Sequence, residues 1–432
     1  MAKVKITPAV LQGSVQVPSS KSMGHRYLIC AGLSSGVSTV DNITLSADIT
    51  ATNNCLAALG VEVLNLPSKF AGRQAFSYRT SLPLRMIQSE LDCGESGSTL
   101  RFFIPLAATL GGCTFVGHGK LVSRPLTPYY AIFAKQGLAY TTGPKGELPL
   151  KIQGRLQPGN FILPGDVSSQ FVSGLLFALP LLEQDSFLKV LPPVESASYI
   201  GLTLAALRRF GIHIETVAEY TYQIPGRQQY LSPQGRVLVE GDWSQAAFWL
   251  VAGTISGRIC CTGLDRESLQ GDKVITALIS KMGGYLLWSG DVLTAQPALT
   301  QSCILDAADC PDLVPILSVL AAVSSGTTRI IHAERLRIKE CDRLAAMAAE
   351  LKKLGADIEE QPDGLVISGR PEGLKGGVEV NAWNDHRVAM SLAIAASRCQ
   401  NPIFINGSES VKKSYPAFWR DLASVGGRVE EL

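Results

Sequence analysis

Apolar residues along this chain follow two periodicities, and the order in which the two occur repeats. Stretches with apolar positions three and four apart run into a glycine, and a short run of alternating apolar and polar residues follows. The junctions read AALG-VEV at Gly60, AKQG-LAY at Gly137, RRFG-IHI at Gly211, SKMG-GYL at Gly283, KKLG-ADI at Gly355 and ASVG-GRV at Gly426, at intervals of 77, 74, 72, 72 and 71 residues. Each glycine is placed to end a helix in the left-handed conformation, which a Cβ disfavours. In the fifth copy Leu344, Met347, Leu351 and Leu354 keep helical spacing, with Glu350, Lys352 and Lys353 on the wet side, and Pro362-Asp363-Gly364 turns a hairpin.

A second, more apolar helix precedes each of these and opens on a polar signature: Ser20-Lys21-Ser22, Gly97-Ser98-Thr99, Ser168-Ser169-Gln170, Asp242-Trp243-Ser244, Pro311-Asp312 and Asn384-Asp385-His386-Arg387. Beyond the first turn these helices are rich in Ala and Leu and should be buried, while Ser, Asp and Asn at their starts cap free backbone N–H groups. Each copy therefore reads strand, buried helix, strand, surface helix and two strands. Six copies of about 70 residues, longer than the usual solenoid period of roughly 20 to 50, predict an α/β repeat protein closed into two lobes of three copies.

Composition narrows the function. The 432 residues carry 39 Lys plus Arg against 37 Asp plus Glu, with 46% apolar and 18% charged residues. That excludes a disordered chain and argues against a dedicated nucleic-acid or membrane-surface binder. The N-terminus has no apolar signal segment, and runs such as 175–182 and 314–323 contain Pro or are too short for a membrane span, so a cytoplasmic location is expected. The ten Cys show no C-x-x-C spacing and read as reduced, buried thiols. No metal-ligand cluster and no nucleotide-binding glycine loop is visible, so neither metal nor cofactor is expected.

About a dozen residues before the repeat glycines, where the surface helices begin, stand Asp48, Arg124, Tyr199, Asp272, Arg343 and Tyr415. Lys21, Arg26, Arg124, Lys339, Arg343, Arg387 and Lys413 all lie near helix starts, where free N–H donors and the helix dipole already favour an anion. The expected ligand is rich in phosphate and carboxylate. Read singly, each residue has a plainer explanation: a solvated cation, a serine cap, or Asp312 as a cap after Pro311.

The segments PSSKSMGHR (18–26), GESGSTLR (94–101), SRPLTP (123–128), PGDVSSQF (164–171), ESASY (195–199), LRIKECDRL (336–344), NDHRVAM (384–390) and KKSYP (412–416), with the Pro311-Asp312 pair, occur in order along nearly the whole chain. In this they resemble the 5-enolpyruvylshikimate-3-phosphate synthases, the 3-phosphoshikimate 1-carboxyvinyltransferases of the enolpyruvyl transferase family. The resemblance implies a two-lobed inside-out α/β barrel of six βαβαββ repeats, three per lobe, with the active site in the cleft between lobes. It further implies discontinuous domains, 20–227 and 1–19 plus 228–432, and a cytoplasmic, monomeric, cofactor-free enzyme of the shikimate pathway, the target of glyphosate.

The reaction so implied moves the enolpyruvyl group of phosphoenolpyruvate to the 5-hydroxyl of shikimate 3-phosphate by addition and elimination, releasing phosphate. By resemblance Asp312 accepts the hydroxyl proton, with Glu340 and Lys21 sharing proton transfer at the methylene carbon. Lys21, Gly97, Arg124, Gln170, Arg343, Arg387 and Lys413 correspond to the phosphoenolpyruvate site. Lys21, Ser22, Arg26, Ser168, Ser169, Gln170, Ser196, Tyr199, Asp312 and Lys339 correspond to the shikimate 3-phosphate site, and His386 reads as structural support. Two departures from the family pattern, Glu95 where many members have Asn and Arg335 where some have Asn, leave glyphosate sensitivity open.

Two other readings compete. The sister enzyme acting on UDP-N-acetylglucosamine shares the fold, and Gly111-Gly112-Cys113 superficially resembles its loop cysteine, but that enzyme carries Lys-Asn where this chain has Lys21-Ser22. A non-catalytic anion-binding repeat protein is the alternative of another class; the presence of both Asp312 and Glu340 speaks against it.

Overall fold

The structure, a computed structural model, describes residues 2–144 and 146–432. Six four-stranded sheets are present among the described residues, together with one two-stranded ribbon. Each of the six is built alike, from one parallel pair and two antiparallel pairs. This is the pattern that strand, helix, strand, helix and two strands must produce, because a parallel pair needs a helical crossover and an antiparallel pair needs only a turn. The six marker glycines all adopt positive φ, from +69° at Gly137 to +97° at Gly355. The expected hairpin pairs Asp357–Gln361 with Gly364–Ser368, Gln361 facing Gly364.

The chain divides into two compact units: residues up to Ser19 with Glu240–Leu432, and Ser20–Val239. The first crossing falls at 19–20 and the second at 239–240, a dozen residues beyond the 228 expected from the sequence. Strand pairing gives the reason: Arg236–Leu238 lies parallel to Gly36–Ile43 and so belongs to the Ser20–Val239 unit. Correspondingly, Gly13–Gln16 lies parallel to Ile259–Thr262 in the other unit, where Lys3–Thr7 is an interior strand between Ile403–Asn406 and Arg428–Glu431.

Each unit has its own apolar core. The helices Lys21–Leu33, Gly97–Thr109 and Ser169–Ala178 of one unit, and Trp243–Ile255, Val314–Ala322 and His386–Ala395 of the other, are the buried ones; the last three are buried at every residue. Five of the six starts are capped, four by a residue of the polar signature itself and the second by Ser96 just before its signature. Ser20, Ser96, Ser168, Asp242 and Asp385 each accept a hydrogen bond from a first-turn N–H, whereas the Pro311 helix begins as a 3₁₀ turn with no side-chain cap. One reading is overturned: Glu350, placed on the wet side of its helix, is only 1% exposed. Among the described residues no helix is long and apolar enough to cross a membrane.

Candidate active-site residues

In the Ser20–Val239 unit, the start of the Lys21 helix meets the start of the helix Ala47–Ala58 through an ion pair, Lys21 Nζ to Asp48 Oδ2 at 2.8 Å. Ser22 stands beside Lys21, partly exposed. Arg26, one turn further on, is 2% exposed, and its guanidinium is engaged by protein: Nε donates to Thr203 Oγ1 at 2.8 Å, Nη1 to the Ser22 carbonyl at 2.7 Å and Nη2 to the Tyr199 carbonyl at 3.0 Å. Burial lowers its pKa to about 10, which leaves it charged at neutral pH. Arg26 thus ties the backbone at Ser22 to the backbone at Tyr199, two residues that the resemblance places with it in one site.

Gly97 opens the second buried helix hard against two guanidinium groups. A Cβ built there would lie 2.8 Å from Arg124 Nη1 and 3.1 Å from Arg101 Nη1. Arg124 follows the 3₁₀ turn Gly119–Ser123, and Arg101 donates to Gln170 Oε1 at 2.8 Å. Gln170 in turn donates to Ser98 Oγ at 2.9 Å. Gly97, Arg124 and Gln170, assigned to one site by sequence, therefore share a neighbourhood, with Arg101 and Ser98 completing it. Ser168 caps its helix through the Gln170 N–H, and Ser169 is buried. Ser196 holds φ +54°, a left-handed conformation unusual for serine, at the start of the helix Ala197–Arg209, which carries the partly exposed Tyr199. Glu95 is turned onto Gly119: a Cβ there would lie 2.6 Å from Glu95 Oε2.

The other unit concentrates charge around Asp312. Arg343, whose side chain is 1% exposed, donates through all three nitrogens: Nη1 to Asp312 Oδ1 at 2.8 Å, Nη2 to Glu340 Oε2 at 2.7 Å and Nε to Asp385 Oδ2 at 2.7 Å. Arg387 Nη2 reaches Asp312 Oδ2 at 2.9 Å and Ser244 Oγ at 3.0 Å, and Nη1 reaches the Asp312 carbonyl at 3.1 Å. Lys339 Nζ lies 3.9 Å from Asp312 Oδ1. Burial alone would raise the Asp312 pKa, but Arg387, Lys339 and Arg343 outweigh it and hold the carboxyl far below the usual range. Lys339 is pushed down to about 8, chiefly by burial, with Asp312 opposing the shift. Lys413 Nζ donates to the Asn384 carbonyl at 2.9 Å. His386 is buried at the first position of its helix.

Sequence reasoning passed over Arg101, Ser98, Ser244 and Asp385. Arg101 had a signal, a cation four residues after Gly97 on an otherwise apolar helix. Asp385 lies within a quoted motif, yet only the fold shows that it both caps a helix, through the Arg387 N–H at 2.8 Å, and pairs with Arg343. Arg335 donates to the Ala308 carbonyl at 2.9 Å, in the loop before Pro311. Cys113 is buried, and burial pushes its thiol up to about 12, which makes it a poor nucleophile.

Guanidinium and ammonium groups gathered near helix starts on an α/β repeat fold, in one unit around the carboxylate of Asp312, mark an enzyme that handles phosphorylated and carboxylated small molecules. The chain belongs to the EPSP synthase (3-phosphoshikimate 1-carboxyvinyltransferase) family, whose sequence profile matches residues 6–422. It is 47% identical over 435 residues to the 3-phosphoshikimate 1-carboxyvinyltransferase of Clostridium novyi and 48% identical over 432 residues to that of Clostridium kluyveri, in each case covering 100% of this chain and 99% of the relative. The fold is the two-domain inside-out α/β fold of the solved EPSP synthase from Acinetobacter baumannii, with a TM-score of 0.82 and 24% identity over all of both chains. The enolpyruvyl transferase NikO from Streptomyces tendae shares it, with a TM-score of 0.81 and 18% identity over 100% of this chain and 98% of that one.

Proposed function

We infer that this chain transfers the enolpyruvyl group of phosphoenolpyruvate to the 5-hydroxyl of shikimate 3-phosphate, forming 5-enolpyruvylshikimate 3-phosphate and releasing phosphate in the shikimate pathway. It is a transferase by family. The reaction adds the hydroxyl oxygen to C2 of phosphoenolpyruvate as the methylene carbon gains a proton, and then eliminates phosphate as a methyl proton leaves. It therefore needs a base at the hydroxyl, an acid and base at the methylene carbon, and donors that hold a phosphate and a carboxylate.

Asp312 is our candidate for the first role, and the observation that carries the reading is that both its oxygens are held by Arg343 and Arg387. In that state it is a very weak base. Phosphoenolpyruvate brings a carboxylate and a phosphate that compete for the same two guanidinium groups. Drawing them away relieves the stabilisation that depresses the Asp312 pKa, so the anion that supplies the enolpyruvyl group also restores the base. Glu340, on Arg343 Nη2, is released by the same displacement and is assigned to proton transfer at the methylene carbon, with Lys21 as its partner in that step.

Lys21, Gly97, Arg124, Gln170, Arg343, Arg387 and Lys413 are assigned to phosphoenolpyruvate. Lys21, Ser22, Arg26, Ser168, Ser169, Gln170, Ser196, Tyr199, Asp312 and Lys339 are assigned to shikimate 3-phosphate. A cytoplasmic monomer working without a cofactor completes the reading. The test is phosphate release by the purified protein with both substrates, alongside Asp312→Ala and a control with UDP-N-acetylglucosamine as acceptor. Turnover confined to the shikimate acceptor and nearly abolished in the variant supports the assignment; release without dependence on the acceptor, or full activity in Asp312→Ala, would overturn it.

A further inference from the structure

Trp383 and Asn384 have φ of +53° and +54°, two consecutive left-handed residues that are not glycine. A turn of this kind persists only where its surroundings hold it. It lies immediately before Asp385, which binds Arg343, and its Asn384 carbonyl accepts the Lys413 ammonium at 2.9 Å.

The turn is held by Glu350, a buried carboxylate that the proposed chemistry does not use. Glu350 Oε1 accepts the Trp383 indole N–H at 2.8 Å, and Oε2 accepts the Asn381 backbone N–H at 3.0 Å. Asn381 Oδ1 in turn accepts the Trp383 backbone N–H at 2.6 Å. Lys353 Nζ lies 2.9 and 2.8 Å from the two Glu350 oxygens and neutralises them. Glu350 stands on the helix Arg343–Lys353, two turns beyond Arg343, so a single helix carries both the guanidinium at Asp312 and the carboxylate that fixes the turn.

We propose that Glu350 and Trp383 are positioning residues that lock the Trp383–Asn384 turn and thereby place the Lys413 ammonium for phosphoenolpyruvate. The proposal rests on the assignment of Lys413 to that substrate. Neither side chain touches the reacting atoms. Both act through the Asn384 carbonyl, and the effect belongs to substrate affinity rather than to the chemical step.

The experiment compares Trp383→Phe, Lys413→Ala and the double variant by KM for phosphoenolpyruvate and kcat, and by calorimetric titration of phosphoenolpyruvate in the presence of shikimate 3-phosphate. Phenylalanine keeps an aromatic ring but lacks the pyrrole portion of the indole and with it the N–H that Glu350 accepts. Trp383→Phe is expected to raise KM and Kd about tenfold with kcat within about twofold of the parent, the signature of lost uniform binding. In the Lys413→Ala background the same change should add less than about twofold, since the turn then has no ammonium to place. An unchanged KM in Trp383→Phe, a matched fall in kcat, or full additivity with Lys413→Ala would overturn the proposal. Glu350→Gln provides an independent check: in protein labelled with 5-fluorotryptophan, the Trp383 fluorine resonance, assigned by its absence in Trp383→Phe, should shift, and an unmoved resonance counts against the proposal. Absence of turnover in the parent protein would sink the functional reading instead, and the fluorine measurement separates the two failures because it needs no activity.

Discussion

The Asp312 carboxylate, expected to work as a base, sits between two guanidinium groups and an ammonium that make it a poor one. Competition by an arriving anion resolves this and makes a prediction with opposite signs for binding and chemistry. Asp312→Asn keeps the shape but removes the charge that competes for Arg343 and Arg387, so phosphoenolpyruvate should bind no more weakly than to the parent, while kcat falls about a hundred- to ten-thousand-fold. Titration of phosphoenolpyruvate beside steady-state assays decides it; weaker binding in the variant would show that Asp312 orients the arginines instead of competing for them. Lys339 makes a second prediction. With its pKa lowered to about 8, it loses its proton as pH rises past that value, and the phosphorylated acceptor loses a cation. KM for shikimate 3-phosphate should therefore climb above pH 8, and Lys339→Arg, which keeps its charge, should move that limb upward. An alkaline limb unchanged by the arginine would assign it to another group.

Among the elements, the helix starts were largely legible and the ties between them were not. Four of the six polar signatures supply the cap of their helix, and a fifth helix is capped by Ser96, one residue before its signature, because a side-chain oxygen just ahead of a helix is placed to accept a free first-turn N–H. His25 had no such local pattern to reveal it. It lies one turn beyond Lys21, fully buried, with Nδ1 2.7 Å from Thr52 Oγ1; Thr52 continues to Thr99 at 2.8 Å and Thr99 to the Ser96 cap at 2.7 Å. This relay joins the helices Lys21–Leu33, Ala47–Ala58 and Gly97–Thr109 near their starts. Burial first, then the charges of Lys21 and Arg26, hold the His25 pKa well below 6.5, so the imidazole is neutral in the fold. The unfolded chain binds a proton near pH 6.5 and the folded one does not, so stability is complete above that pH and falls as pH drops below it, by about 1.4 kcal/mol per unit for this group. His25→Asn should flatten the acid side of a plot of melting temperature against pH relative to the parent, whatever it does at pH 8. Parallel acid limbs in the two proteins would mean that His25 carries its proton in the fold. Glu350 shows the limit of periodicity in the same way: its place on the helix reads as wet, and only the packing of the Asn381–Trp383 segment across it makes it buried.

For the whole molecule, the repeat was readable because six glycines at a nearly constant interval all need the same backbone conformation. The route of the chain was not readable from periodicity, since strands of three or four residues carry no mark of their partners; only the family resemblance implied that the first nineteen residues join the opposite unit. Gly13–Gln16 precedes the Lys21 helix in sequence yet pairs in the opposite unit, and Arg236–Leu238 does the converse. The consequence for folding is asymmetric. Residues 20–239 form one unbroken segment that includes every strand of its three sheets, whereas residues 240–432 lack Gly13–Gln16 and the interior strand Lys3–Thr7. Without Lys3–Thr7 the strands Ile403–Asn406 and Arg428–Glu431 each present an unpaired edge, and Val4 and Ile6 leave the core. The ends of that unit already adjoin, since the Leu432 N–H donates to the Lys3 carbonyl at 2.9 Å. A permuted chain that runs from 240 to 432, through a short glycine linker, into residues 2–19 should therefore fold with a single cooperative melt, as should the 20–239 segment alone. The 240–432 segment without the N-terminal strands should aggregate or show no cooperative transition. Circular dichroism melts of the three proteins decide the matter, and a cooperative transition in 240–432 alone would mean that the first nineteen residues dock onto a unit already formed.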